Sequence, residues 1–266
     1  MTGAEPVGDT TPGFVAGLSL IGRARPVNED ALAMSSLEVD GRRRTIAVVC
    51  DGIAGGAHGE LASAAAAEAA HASLVEADGA PAEEALRLAI ALAHRAICEA
   101  GIEEVAGKDD AGTTLVAAIA RPGAIDIGWV GDSRAYFVPD GPAAPELLTH
   151  DHSWVNLVVD AGDLTIEEAI ASKWAQVITR CLGPAQDPDP LKPPAVSTCA
   201  LDLEGAGTLV LCSDGLWAEF AEPDEMAAVV RAAPDRDDLA SVAAHLVEQA
   251  LARGSDDDIT VVVARL

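Results

Sequence analysis

Thr45-Ile46-Ala47-Val48-Val49-Cys50-Asp51-Gly52 and Thr208-Leu209-Val210-Leu211-Cys212-Ser213-Asp214-Gly215 share one pattern, an apolar run closed by Asp-Gly. Continuous apolar runs of this length, rich in β-branched residues, read as buried strands. Trp129-Val130-Gly131 ends in Asp132 in the same manner, and Asp256-Asp257-Asp258 opens the last apolar run, Ile259 to Ala264. A carboxylate at the mouth of a buried strand is costly unless it is paired or bound to a cation. Acidic groups carried on several rigid strands therefore suggest an oxygen-only site for a hard divalent metal, and with it metal-assisted hydrolysis.

Working outward from these runs, Phe14–Leu20 and Ala31–Leu37 read as strands before Thr45–Cys50, with Asp40-Gly41 as a hairpin turn. Two long helices follow, Glu60–Ala77 and Ala82–Ala100, the second carrying Leu86, Ile90, Ala93, Ile97 and Ala100 on one face and Pro81 in its first turn. Strands are expected at Thr113–Ala120, Ala124–Val130, Ala135–Val138 and Thr208–Ser213. Thr165-Ile166-Glu167-Glu168 has the capping-box pattern of a helix start, Pro223 opens a short helix, and Arg236–Ala252 is an amphipathic helix. Pro184–Pro194 reads as a connector. This order lacks βαβα alternation and predicts packed antiparallel sheets with helices outside. Residues 1–13 read as a loose arm and 14–266 as one domain.

Seventeen basic and 43 acidic residues give a net charge of −26, which disfavours nucleic acid and anionic membranes as partners. Aromatics make up 3% of the chain, so the core must be built from Ala, Val, Leu and Ile. No signal-peptide pattern and no apolar run of spanning length is present, so a cytoplasmic protein is expected. Five cysteines with no CxxC spacing, two of them inside strand runs, read as reduced core residues and not as a zinc site.

Taken singly, the candidate site residues have bland explanations. Asp51-Gly52 alone would be a turn. Glu29 and Asp30 alone would be surface charge, with Arg25 beside them a possible phosphate fork. Gly52, Gly55, Gly56 and Gly59 form a strand-to-helix loop whose backbone can approach a ligand, but no Gly-Lys-Ser/Thr makes it a P-loop. Arg42-Arg43-Arg44 reads most simply as a solvated edge, with docking of an acidic partner as the alternative. His71 and His94, on the Ala-rich helices, are expected to face solvent, and His152 is expected to support structure near the site.

Eight stretches in one order carry a more specific signal: Gly22–Asp30; Val49-Cys50-Asp51-Gly52; Gly112-Thr113-Thr114-Leu115; Val130-Gly131-Asp132-Ser133-Arg134-Ala135; Leu148–Ser153; Val177–Gly183; Leu211–Trp217; and Asp257-Asp258-Ile259-Thr260-Val261. Together they resemble the metal-dependent Ser/Thr protein phosphatases, the protein phosphatase 2C family, in its bacterial form. The resemblance implies an α+β fold, an αββα sandwich of two antiparallel sheets flanked by helices. It implies hydrolysis of phosphoserine and phosphothreonine by water activated between two divalent ions, Mn²⁺ or Mg²⁺. On that resemblance Asp51 would bridge the two metals and Asp214 and Asp257 would complete the first. Glu29 and the Gly52 carbonyl would serve the second, and Asp132 would join Asp214 at a third. Arg25 would hold the substrate phosphate, and Asp30 would orient the attacking water. The implied partners are phosphorylated proteins made by Ser/Thr kinases, acted on by a monomer.

Three departures from the family pattern stand out. Asp258 replaces the Asn common after the last ligand, and is expected either to strengthen metal binding or to face solvent. His58 sits two positions beyond the usual His, which points to a surface or helix-cap role. Ser172-Lys173 replaces the usual His-Pro in the Leu164–Gln176 flap. They keep a second reading open, a weakly catalytic phosphoprotein-binding regulator of the same fold. A third, an acidic Ca²⁺-binding structural protein, leaves Arg25 and the order of the stretches unexplained.

Overall fold

The computed structural model describes residues 13–23, 25–39, 41–53, 58–100, 111–184 and 191–266. Residues 1–12 of the expected arm, Asp40 of the hairpin turn, Gly55 and Gly56 of the loop, and 185–190 of the connector lie outside them. Two antiparallel sheets form the centre. One has the order β1 (Val15–Leu20), β11 (Ile259–Arg265), β10 (Gly207–Cys212), β7 (Arg134–Pro139), β8 (Glu146–Leu147). The other runs β2 (Asp30–Val39), β3 (Arg42–Ile53), β5 (Leu115–Arg121), β6 (Ala124–Val130), β9 (Ser197–Asp202), with β4 (Gly112–Thr113) pairing the end of β3. Helices α1 (Gly59–Glu76) and α2 (Ala82–Glu99) cover the second sheet. Helices α6 (Pro223–Ala232) and α7 (Leu239–Arg253) cover the first, and the short α3 (Trp154–Asp160), α4 (Ile166–Ile170) and α5 (Asp214–Trp217) lie in the connections.

The apolar runs are explained by this layering. In β3, Ile46, Val48 and Cys50 pack under α1 and α2, whereas Ala47 and Val49 face the other sheet. In β10, Val210 and Cys212 pack under the helices and Leu209 and Leu211 pack between the sheets. A central strand covered on both faces has no polar side, so alternation vanishes. The α1 face is built of Ala62, Ala66, Ala67 and Ala70, small side chains that allow helix and sheet to approach closely in a core poor in aromatics.

Several boundaries differ from the expected ones. β3 continues to Ile53, because Gly52 and Ile53 pair with Thr113 and Gly112 of β4, so Asp51 lies within the ladder and not at its mouth. β9 was not anticipated; Ser197–Asp202 is a half-exposed edge strand with no apolar run to signal it. Ala100 is exposed as the C-cap of α2 and does not belong to its buried face. Pro81 occupies the N-cap position of α2. His94 is buried, not solvent-facing, because its Nδ1 accepts the Gly183 N–H at 3.2 Å; His71 is half-buried with Nε2 2.9 Å from Ser35 Oγ. The capping box at Thr165 is present, with both reciprocal hydrogen bonds made. All five cysteines are free thiols.

Candidate metal centre

The acidic residues converge from both sheets at one end of the sandwich. Asp30 and Asp51 are direct cross-strand partners in the β2–β3 ladder. Asp51 shares the face of Ala47 and Val49, which looks across to β10 and β11, and directly opposed residues share a face. Two like charges directly opposite are unfavourable, so something must compensate. For Asp30 part of the compensation is Ser213, whose Oγ donates to Asp30 Oδ2 at 2.7 Å and accepts the Thr260 N–H at 3.0 Å. This bond ties the first strand of one sheet to the end of β10 in the other.

Asp51 is held by its backbone. Its N–H donates to Thr114 Oγ1 at 3.1 Å, and its carbonyl accepts from Thr113 Oγ1 at 2.9 Å and from the Thr114 N–H at 2.8 Å. Thr114 Oγ1 in turn lies 2.7 Å from Ser133 Oγ, next to Asp132. Asp214 is the first residue of α5, after the strand that carries Ser213. Asp132 follows β6 through Gly131, whose φ of +104° disfavours a side chain and where a Cβ would stand 2.6 Å from the Thr114 side chain.

The electrostatics of the cluster run one way. Burial, then mutual repulsion with Asp30, Asp214 and Asp132, pushes the Asp51 carboxyl well above its ordinary range. Burial is also the leading cause for Asp30 and Asp214, both raised. Asp132 is raised to about 7 by burial and then by Asp214 and Asp151. None of these four carboxylates makes an ion pair with Lys or Arg among the described residues. Glu29 and Asp257 are compensated: Arg25 Nη1 lies 3.0 Å from Glu29 Oε2 and its Nη2 2.5 Å from Asp257 Oδ1.

The donor set fits hard divalent ions. A Cβ added to Gly59 would stand 3.1 Å from both Glu29 Oε1 and the Gly52 carbonyl oxygen, so two oxygen donors already face one small space that a glycine keeps open. A Cβ on Gly52 would collide with the Glu29 carbonyl oxygen at 2.4 Å, which makes that position glycine by necessity. Oxygen donors with excess negative charge suit Mg²⁺ or Mn²⁺ better than zinc. No three acidic, His or Cys side chains among the described residues close on a single point, and Arg25 bridges Glu29 and Asp257.

Two supports were not foreseen in their present form. Asp258 is 2% exposed and does not face solvent. Its Oδ1 accepts the Gly22 N–H at 2.7 Å and its Oδ2 the Glu29 N–H at 2.8 Å, fixing both ends of the segment that carries Arg25. His152 clamps Gly131: its Nδ1 accepts the Gly131 N–H at 3.1 Å, and its own N–H donates to the Gly131 carbonyl at 2.9 Å, with the ring stacked on Trp129. His58 is the N-cap of α1 in a left-handed conformation with φ of 78°. It serves through its carbonyl, which accepts from the Leu61 and Ala62 N–H groups, while Nδ1 lies 3.2 Å from Glu60.

Burial, followed by Arg180 and His150, lowers the His152 pKa to about 4 from its ordinary value of 6.5. Between those values the unfolded chain binds the proton and the folded one does not, so this group's stabilisation is complete above about 6.5 and is lost as pH falls toward 4. The expected result is that His152→Gln loses about 2 kcal/mol less than the parent on going from pH 7 to 4.5 in denaturant titrations. Equal losses in the two proteins would remove His152 as the cause.

Residues 22–251 match the family model described as Protein phosphatase 2C. The serine/threonine phosphatase stp of Listeria welshimeri is 31% identical over 152 residues, 57% of this chain and 56% of that protein. The serine/threonine protein phosphatase PstP of Mycobacterium tuberculosis is 28% identical over 248 residues, 91% of this chain and 43% of that protein. The matches thus span about half the length of these curated relatives. Among solved structures, Stp1 from Staphylococcus aureus superposes with a TM-score of 0.78 at 27% identity, covering 100% of this chain and 99% of that one. The catalytic domain of PstP in complex with two manganese ions gives a TM-score of 0.72 at 26% identity, covering 95% and 97%.

Proposed function

Because the chain belongs to the protein phosphatase 2C family, we propose that it hydrolyses phosphoserine and phosphothreonine in proteins with the aid of divalent metal ions. The observation that carries this reading is the group Asp30, Asp51, Asp132 and Asp214, four buried carboxylates raised by burial and by neighbouring acids, none in ion-pair contact with Lys or Arg among the described residues. In this reading Asp51, Asp214 and Asp257 would hold one ion. Asp51, Glu29 and the Gly52 carbonyl would hold a second, and Asp132 with Asp214 would offer a weaker third place.

Bound Mn²⁺ or Mg²⁺ would supply Lewis acidity to the phosphoryl oxygens and acidify the attacking water. Asp30, fixed by Ser213, would orient that water. Arg25 binds the phosphate by its two-pronged guanidinium, exchanging Glu29 and Asp257 for the substrate oxygens. The exposed Ile166, Ile170 and Trp174 of the Leu164–Gln176 flap, with Leu157 ahead of it, would give a phosphoprotein an apolar surface to lie on. Its substrates would be products of Ser/Thr kinases. No helix among the described residues is long and apolar enough to cross a membrane.

The test is phosphate release from a phosphothreonine peptide with Mn²⁺, with Mg²⁺ and with EDTA, for the parent and Arg25→Ala. Activity in metal that EDTA abolishes is expected, with Arg25→Ala raising KM roughly tenfold or more while Mn²⁺ binding by calorimetry persists. Equal rates in EDTA and Mn²⁺ would end the proposal. Mn²⁺ binding without turnover in the folded protein would establish the phosphoprotein-binding regulator instead.

A further inference from the structure

A cavity of about 850 Å³ lies at the other end of β3 from Asp51. Arg44 stands seven positions along the strand from Asp51, about 23 Å at the usual rise. Strand alternation puts Arg42 and Arg44 on the face of Ile46 and Val48, the face covered by α1 and α2. The strand outruns the helices there, so the two arginines meet the turn between α1 and α2 in place of an apolar contact. Arg44 and Arg42 line the cavity with Arg121 from the end of β5.

Arg44 is the central group. It is only 9% exposed, its Nη2 donates to the Ala77 carbonyl at 3.3 Å, and its Nη1 is buried with no hydrogen-bond partner. Capping the C-terminus of α1 accounts for one of its nitrogens and leaves the other unexplained. An unsatisfied buried donor of a charged group is costly, and Arg121 stands close enough to repel it. Asp78 is the nearby acid, exposed at the rim, and Arg121 is also engaged by Asp126.

A second feature points the same way. The 18-residue α2 starts at this cavity with Ala82, and its N-cap, Pro81, makes no side-chain cap. Its first N–H groups and the positive end of its dipole are therefore open to an anion. Two acids lie in that turn: Glu83 is taken up by Arg87, and Glu84 is exposed to solvent. Ile119, Ala77 and Ala124 supply an apolar wall, and the volume falls in the range of small-ligand sites.

We propose that this cavity binds a small, multiply charged oxyanion, phosphate or a small organic phosphate ester, on Arg44, Arg42 and Arg121 at the start of α2. In a chain of net charge −26, three arginines and an uncapped helix start gathered on one cavity form a local exception to the surrounding field. The site is separate from the acidic centre and does not depend on its chemistry.

Titration of pyrophosphate into the metal-free, full-length protein, followed by amide NMR, distinguishes the two places by the location of the shifts. Saturable shifts are expected at Arg44, Gly79, Ala82 and Glu83, weakening with added salt. Arg44→Met should raise Kd about tenfold, and Arg42→Gln, at an exposed position where folding is not at risk, about threefold. Shifts confined to the neighbourhood of Arg25 and Gly52, or a Kd unchanged in both variants, would overturn the proposal.

Discussion

Asp51→Asn and Asp214→Asn are each expected to lower phosphate release from a phosphothreonine peptide by roughly a thousandfold, about 4 kcal/mol of transition-state stabilisation. They should at the same time make the metal-free protein more stable. The reason is the repulsive cluster itself. Without cations, each neutral amide removes one charge that burial and its neighbours already oppose. A gain of about 1–3 kcal/mol is expected, read as a rise of a few degrees in Tm in EDTA. Mn²⁺ should then stabilise the parent and fail to stabilise the variants to the same extent, by the linkage between binding and folding.

The same cluster sets a pH dependence whose sign can be stated. For Asp132 the folded pKa is about 7 against an ordinary value of 3.8, so in that window the folded protein holds the proton more tightly than the unfolded chain. Its contribution is therefore lost as pH rises from about 4 through 7, opposite in sign to that of His152. Mn²⁺ should flatten the acidic-cluster part of the slope. Variants that lose activity without gaining metal-free stability would mean that the four carboxylates are not mutually destabilising. Full activity in Asp214→Asn with metals bound as before would remove Asp214 from the mechanism.

The second large effect is expected at Asp258. Removing its carboxylate leaves the Gly22 and Glu29 N–H groups without acceptors in a position that is 2% exposed. Two charge-assisted hydrogen bonds and the cost of two buried donors amount to about 3 kcal/mol for Asp258→Ala. Activity should fall about 10- to 100-fold as well, because the segment so anchored carries Arg25 and Glu29 and outer supports of metal ligands typically have effects of that size. Asp258→Asn is the sharper comparison. One amide oxygen can accept one N–H, and the NH₂ then confronts the other donor, so an intermediate loss is expected. Chemical denaturation, Mn²⁺ calorimetry and the peptide assay on both variants provide the check. An Asp258→Asn protein as stable and as active as the parent would show that the double acceptance is dispensable.

Much of the architecture was legible because it follows from short-range rules. The apolar runs of β3 and β10 declared central strands, the Thr165 capping box declared α4, and the stripe from Leu239 to Ala250 declared α7. The acidic residues could be named from their places after those runs, and the resemblance to the phosphatase family assigned them roles. The edge strand β9 escaped because an exposed edge carries no apolar signal.

What the linear chain left open was every relation that depends on distance across the fold. Asp258 read as either a metal support or a solvent charge, because its partners lie 229 and 236 residues away. Ser213 read as the end of a strand, and only the packing of one sheet on the other places it on Asp30. His94 read as a surface residue of an Ala-rich helix until Gly183 was brought to its ring. Arg44 read as part of a solvated edge, yet the turn between α1 and α2 buries it. Composition and periodicity determine which residues a strand or helix presents on each face. Which polar group a buried donor or acceptor finds there is decided only when the layers close, since the cost of leaving it unpaired is incurred only once water has been excluded.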